Sequence, residues 1–281
     1  MGSRKWANAP ITYTERDCPE PDYETFGGET DPAALQQRVG KICITTLTDH
    51  KSKGWFQRMM RWRNYDSVLE LTWKNKEHYA KKHGYSLYDG SDLIVTSRPP
   101  AWTKIVAMQH LLQKEKCNWI VWTDADAVFM NSDIRIESIL PTDQQHDLIV
   151  AEDEPNSGYN SGVLIFRNTA WSKQFLEDWW NMKSYVRPPG LSLSGDNTAM
   201  KAQLKSMTDF HDHVLVPPRC NINSFAKFVP VDQAETIAKN VDEQHWAKLK
   251  NNYYHKGDLI AHVAGYDNKA ETLLLLLQEA H

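Results

Sequence analysis

From about residue 41 onward, short apolar runs alternate with stretches in which apolar residues return every three or four positions. The runs 41–46, 85–88, 118–123, 147–151 and 162–166 have the length and composition of buried strands. Between them Val68, Leu69, Thr72, Tyr79, Ala80 and His83 fall at helical spacing, and Gly84 is placed to cap that helix. After Pro99-Pro100, the residues Ile105, Met108, Leu111 and Leu112 share one helical face. Trp171, Phe175 and Trp179 mark another helix from near Thr169. Further helices are expected near 196–205, 232–249 and 269–280, with a strand near 213–216. Strands alternating with helices predict an α/β fold, a mostly parallel sheet covered on both faces. Residues 1–38 are rich in Pro, Glu, Asp, Thr and Gly without a hydrophobic period. They read as an N-terminal arm or stem-like linker before one domain over 39–281.

Bulk properties narrow the functional classes. The 281 residues carry a net charge of −4 with 24% charged and 41% hydrophobic residues, an ordinary globular balance. That balance provides no basic field for nucleic acid or an anionic membrane. No window approaches the roughly 18 consecutive apolar residues of a membrane span. The aliphatic run 273–277 is too short and reads as part of a packed helix. Cys18, Cys43, Cys117 and Cys220 fit neither a zinc knuckle nor a disulfide framework, and Cys43 and Cys117 are expected to be inert core thiols.

Candidate chemistry begins where the run 118–123 empties into Asp124-Ala125-Asp126. An extended backbone points alternate side chains to one side. Both carboxylates would then project past the carboxyl end of a buried strand, where open α/β sheets bind ligands. Two like charges aimed at one point repel unless a cation lies between them, and a divalent ion bridging phosphate oxygens meets that need. The reading is a metal-dependent site for a nucleoside diphosphate; a solvated acidic turn is the plain alternative. An EF-hand is excluded, since Val128 and Phe129 stand where an oxygen ligand and a glycine are required. The glycine-rich nucleotide motifs, His-Glu-x-x-His and the Gly-x-Ser-x-Gly elbow are absent.

Three further segments add to this. Asn160-Ser161-Gly162 enters an apolar strand and could hydrogen-bond sugar hydroxyls, or simply turn the chain. Asp196, opening a helix, fits a capping role. His262 follows an apolar stretch, as core histidines do, and Gly265 would let the backbone approach a ligand closely.

Taken in order, these segments resemble the family-34 glycosyltransferases of the GT-A fold, which include plant xyloglucan xylosyltransferases and fungal α-mannosyl- and α-galactosyltransferases. The resemblance runs from Lys74-Asn75-Lys76 and His83-Gly84-Tyr85 through Trp102-Thr103-Lys104 and the Asp-x-Asp segment. It continues through Asn160-Ser161-Gly162, Asp196-Asn197-Thr198-Ala199 and 262–265, covering about 41–268. It implies that Asp124 and Asp126 form the family's Asp-x-Asp motif and that His262 is its late metal-binding histidine. Asp196 and Asn197 would be the catalytic pair near the reacting sugar. Thr45, Thr46, Lys104, Ala125, Asn160, Ser161, Gly162, Gly265 and Lys269, with Asp124, would hold the nucleotide sugar. Two departures stand out: Gly195-Asp196-Asn197 replaces the frequent Asp-Asp-Gln, and the first basic residue after the histidine is Lys269.

Carboxylates plus one imidazole suit Mn2+, with Mg2+ a weaker substitute. The family implies retention of configuration, which takes either a carboxylate nucleophile, for which Asp196 is the candidate, or same-face attack with Asp196 as orienter, the reading favoured here; a UDP-sugar is favoured over a GDP-sugar as donor. The acceptor is expected to be a glycan packed on aromatic rings, from among Trp180, Tyr185, Phe225, Tyr253 and Tyr254. Relatives are usually Golgi-anchored, which implies a lumenal location if an N-terminal anchor has been removed from this sequence and otherwise leaves the compartment open, a soluble protein included; a homo-oligomer is compatible with all of this. The alternatives are a nucleotidyltransferase, whose glycine-rich loop is missing from 45–53, and a sugar-binding module without turnover.

Overall fold

In the computed structural model, which describes residues 18–49, 67–153, 157–188, 194–226, 253–265 and 269–280, the strand-length runs join one six-stranded sheet. In chain order the elements are α1 (Pro32–Val39), β1 (Ile42–Thr46), α2 (Val68–His83), β2 (Ser86–Asp89), α3 (Thr103–Gln113), β3 (Trp119–Thr123), β4 (Ala127–Phe129), β5 (Leu148–Glu152) and β6 (Tyr159–Arg167). There follow α4 (Ala170–Asn181), α5 (Asp196–Ser206), α6 (Phe210–His213), β7 (Val214–Leu215), α7 (Arg219–Ile222), β8 (Ser224–Phe225), β9 (Ile260–His262) and α8 (Lys269–Glu279). The sheet order is β2-β1-β3-β6-β5-β7, and β6 alone runs against its neighbours. The mostly parallel sheet expected from the strand–helix alternation is the one formed. The helix expected near 232–249 lies outside the described residues.

Side-chain alternation divides the sheet into two apolar faces. Cys43, Ile120, Trp122, Leu164 and Phe166 pack against α3, α4 and α5. Ile44, Val121, Val163 and Ile165 face the other way, against α1 and α2. Helix ends follow the local signals: Gly84 closes α2 in a left-handed conformation at φ +73°, and the Thr169 side chain accepts from the Ser172 amide to start α4. Within the expected arm, Pro32–Val39 is a helix, with Asp31 capping it and Leu35 and Val39 buried. Pro at its first position and an Asp cap were sufficient; the apolar stripe of two residues was too short to show as a period.

A second, three-stranded sheet has the order β4-β9-β8. Its antiparallel β4–β9 ladder places His262 opposite Ala127. Among the described residues no helix is long and apolar enough to cross a membrane. The run 273–277 belongs to α8, which buries Leu273 and Leu276 and exposes Leu274 and Leu275.

The cysteine expectation is corrected. Cys43 bonds to Cys117 and Cys18 to Cys220, across sequence separations of 74 and 202 residues. No spacing rule could reveal this, because the pairs meet only when the sheet forms: Cys43 lies on β1, and Cys117 just precedes the adjacent β3. Closing loops of this length constrains the unfolded chain. Replacing Cys43 and Cys117 together by alanine is expected to cost about 2–4 kcal/mol in urea unfolding, with the fold retained.

Candidate functional site

The strand β3 ends at Thr123, and the next residues turn rather than continue extended: the Ala127 amide donates to the Asp124 carbonyl at 3.0 Å. The two carboxylates therefore converge through a turn and not through strand alternation. Backbone bonds pin the turn on both sides. The Asp124 amide donates to Gly162 O at 2.7 Å, and the Val263 amide to Asp126 O at 3.0 Å. The second bond ties the turn to the end of β9, so His262 arrives beside it. His262 Nε2 lies 3.7 Å from Asp124 Oδ2 and 3.4 Å from Asp126 Oδ1. Asp124, Asp126 and His262 each present a ligand atom within 4.8 Å of the others, at the carboxyl end of β3.

Buried lysines surround this cluster. Lys104, 3% exposed on α3, reaches Asp124 Oδ1 at 3.0 Å and Asp196 Oδ2 at 3.1 Å. It also donates to Ser161 O at 3.2 Å. Burial disfavours its charge, but Asp124 and Asp196 more than reverse that and hold its pKa above the ordinary lysine value. Lys269 donates to Asp126 Oδ2 and, at 2.6 Å, to Val263 O. Burial opposes ionisation of Asp126, yet Lys269 and His262 hold its carboxyl well below the usual range.

Asp196 is not a helix cap. It follows the cap residue Gly195 as the first residue of α5; its carboxylate accepts from Ser194 Oγ and the Asn197 backbone amide and pairs with Lys104. Against burial, Lys104 and the Ser194 hydroxyl lower its pKa. The preceding Gly195 has φ +92°, and a Cβ there would lie 1.8 Å from the Tyr185 carbonyl oxygen. That contact explains why this chain has no side chain where the resembled pattern has a second carboxylate. Asn197 Oδ1 accepts from the Ser161 amide at 3.0 Å.

The structure thus brings together Lys104, Asp124, Ala125, Asp126, Asn160, Ser161, Gly162, Asp196, Asn197, His262 and Lys269. Gly265 follows in an exposed turn at φ +78°. Thr45 and Thr46 lie at the end of β1; Thr45 Oγ1 donates to Tyr88 O, and the buried Thr46 hydroxyl has no hydrogen-bond partner among the described residues. Of the aromatic candidates, Phe225 and Tyr254 are buried, whereas Trp180 is half-buried and carries the Arg98 guanidinium 3.7 Å above its ring.

Several site residues escaped sequence reasoning. Lys76, fully buried on α2, donates to Ala127 O at 2.6 Å, to Ala125 O at 3.2 Å and to Thr72 Oγ1 at 3.1 Å. Its hydrogen-bond acceptors are neutral, and burial pushes its pKa down to about 7 despite Asp126 and Asp124 nearby. The available signal was a lysine on the stripe of Thr72, Tyr79 and Ala80. Asp153, just beyond β5, accepts from Lys201 Nζ at 2.6 Å and from Asn160 Nδ2 at 3.3 Å. Asn223 bonds to both His262 and Asn160. No local signal marked either residue.

Comparison with known proteins agrees with this architecture. The model of the galactosyl transferase GMA12/MNN10 family matches residues 41–154 and 138–272. The chain belongs to that family. "Glycosyltransferase 6" of Arabidopsis thaliana is 30% identical over 125 residues, 42% of this chain and 28% of the relative. "Galactomannan galactosyltransferase 1" of Cyamopsis tetragonoloba is 25% identical over 214 residues, 73% of this chain and 45% of the relative. The matches thus span less than half the length of these curated relatives. A glycosyltransferase involved in glycosylation of the PBCV-1 major capsid superposes with TM-score 0.55 at 15% identity, covering 85% of this chain and 99% of its own. The α/β, GT-A-type fold expected for the family is the one observed.

Two outcomes follow from the geometry. A Cβ at Gly162 would lie 2.0 Å from His262 Cε1, so Gly162→Ala must displace the ring and should cost about 1–3 kcal/mol in urea unfolding. The lowered pKa of Asp196 contributes stability that is fully present above about pH 4, where an unfolded aspartate is ionised, and lost as pH falls through the folded value. Asp196→Asn should therefore show a shallower loss of stability on acidification below about pH 4 than the parent chain, measured by urea midpoints across that range.

Proposed function

We propose that this family member is a metal-dependent, retaining glycosyltransferase that moves xylose, galactose or mannose from a nucleotide-diphosphate sugar, a UDP-sugar in preference, to a glycan. The observation that carries the reading is the convergence of Asp124, Asp126 and His262 at the carboxyl end of β3. Two carboxylates and an imidazole are a donor set that fits Mn2+, with Mg2+ as the weaker alternative. Asp124, Asp126 and His262 would hold the ion, which would neutralise charge developing on the departing diphosphate. Lys269, already bonded to Asp126, adds positive charge on the same side of the site.

The chain's own residues favour same-face substitution over a covalent intermediate. Asp196 has one oxygen on Lys104 and the other accepting from Ser194. A carboxylate so occupied is a poor nucleophile and a well-fixed negative charge, suited to orienting sugar hydroxyls and stabilising a cationic anomeric centre. Lys104 holds Asp196 and Asp124 in one network, so the nucleotide side and the sugar side of the site are set together. The name of the Cyamopsis relative supports a galactosyl donor and a polysaccharide acceptor.

In this reading residues 39–281 form the catalytic domain, with α1 packed onto it. Two disulfides fit an oxidising compartment such as the Golgi lumen.

The test is a panel of nucleotide sugars with and without Mn2+, followed by thermal shift and by release of nucleoside diphosphate. The donor should raise the melting temperature only with the metal, since a ligand stabilises by RT ln(1 + [L]/Kd). Asp126→Asn should lower turnover about 100-fold or more while the chain stays folded. Release of inorganic pyrophosphate instead would identify a nucleotidyltransferase, and binding without release a sugar-binding module.

A further inference from the structure

The hydrogen bonds behind His262 form a chain whose donors and acceptors are fixed by one backbone group. The Gly162 amide, which can only donate, lies 2.9 Å from Asn160 Oδ1. That atom is therefore an acceptor, the carbonyl oxygen of the Asn160 side chain. The Asn223 side-chain atom 3.0 Å from the same oxygen must then be its NH2 group. The other end of the Asn223 amide is consequently its oxygen, and it lies 3.0 Å from His262 Nδ1. An amide oxygen only accepts, so Nδ1 carries the hydrogen. Neutral His262 is left with its lone pair on Nε2, the atom facing Asp124 and Asp126.

We infer that Asn223 is a positioning residue that sets the tautomer and ring orientation of His262 for cation binding through Nε2. The inference rests on the cation site proposed above. Asn223 is wholly buried, so no water competes for its amide. The turn that precedes it is held in place. The Asn223 backbone N–H donates to Arg219 O at 2.8 Å, Cys220 in the same turn is bonded to Cys18, and Asn221 Nδ2 donates to Pro19 O at 2.9 Å. Gly162 completes the arrangement, since the space a side chain would need there is filled by the imidazole. Partners that orient a metal-binding histidine in this way are worth 10–100-fold in metal affinity, as an order of magnitude.

The experiment measures Mn2+ affinity by calorimetry for the parent chain, Asn223→Ala and Asn223→Asp. A second readout follows the imidazole 15N shifts of His262 in the metal-free parent at alkaline pH. Asn223→Ala is expected to bind Mn2+ on the order of 10–100-fold more weakly. Asn223→Asp, which keeps an acceptor at Nδ1 but loses the donor to Asn160 Oδ1, should recover part of that loss, which a general packing defect would not allow. The 15N shifts should report a proton on Nδ1. Parent-like Mn2+ affinity in Asn223→Ala, or a proton on Nε2 alone in the parent, would overturn the role of Asn223. A parent chain that takes up no Mn2+ would overturn the cation site itself, and with it this inference.

Discussion

Everything at this site depends on neutralising carboxylates that the fold forces together away from water. An uncompensated buried charge costs several kcal/mol, as much as one or two fully buried core side chains contribute. Asp126 and Asp196 are both buried, and each meets an ammonium that is itself buried. Lys104 serves two carboxylates at once, and its raised pKa shows attraction winning over desolvation. Lys76 presents the opposite balance. Its acceptors are carbonyls and a hydroxyl, and desolvation wins. Such a group is tolerated because it ties down the carbonyls of the turn that carries Asp124 and Asp126.

The fold meets this constraint by layering elements from distant parts of the chain. β3 delivers the acidic turn, and β6 holds it through the Gly162 carbonyl. α3 contributes Lys104 from one face of the sheet, and α2 contributes Thr72 and Lys76 from the other. The small β4-β9-β8 sheet then closes over the turn and carries in His262. Each contact is an ordinary backbone ladder or helix–sheet packing; the chemistry arises from their intersection at one strand end. This also accounts for the site glycines. Gly162 leaves room for an imidazole and Gly195 for a carbonyl, so both are demanded by close approach.

Lys104 places Asp124 and Asp196 on a single buried cation, so a shift of either carboxylate is felt by the other. Asp196 is held by partners on α3 and in the preceding loop, which suits an electrostatic role more than a chemical one. The two disulfides add covalent ties at the sheet and at α7, the short helix leading to Asn223.

By itself the sequence determined the main strands and the longer helices between residues 41 and 206, the α/β class and the position of the acidic pair at a strand end. Those properties follow from periodicities of two and about 3.6 residues, which are local. Motif order along 41–268 was enough for the family. The tertiary structure decided what lies far apart in sequence. It bent the Asp-x-Asp segment into a turn, paired four cysteines that showed no spacing pattern, and turned Asp196 from a helix cap into the partner of Lys104. It also enlisted Lys76, marked along the chain only by its place on the buried stripe of α2, and Asp153 and Asn223, whose neighbours along the chain say nothing of their role. Hydrogen bonds and ion pairs between residues dozens to hundreds of positions apart leave no local period to read, and only the packed sheet specifies which groups must satisfy one another.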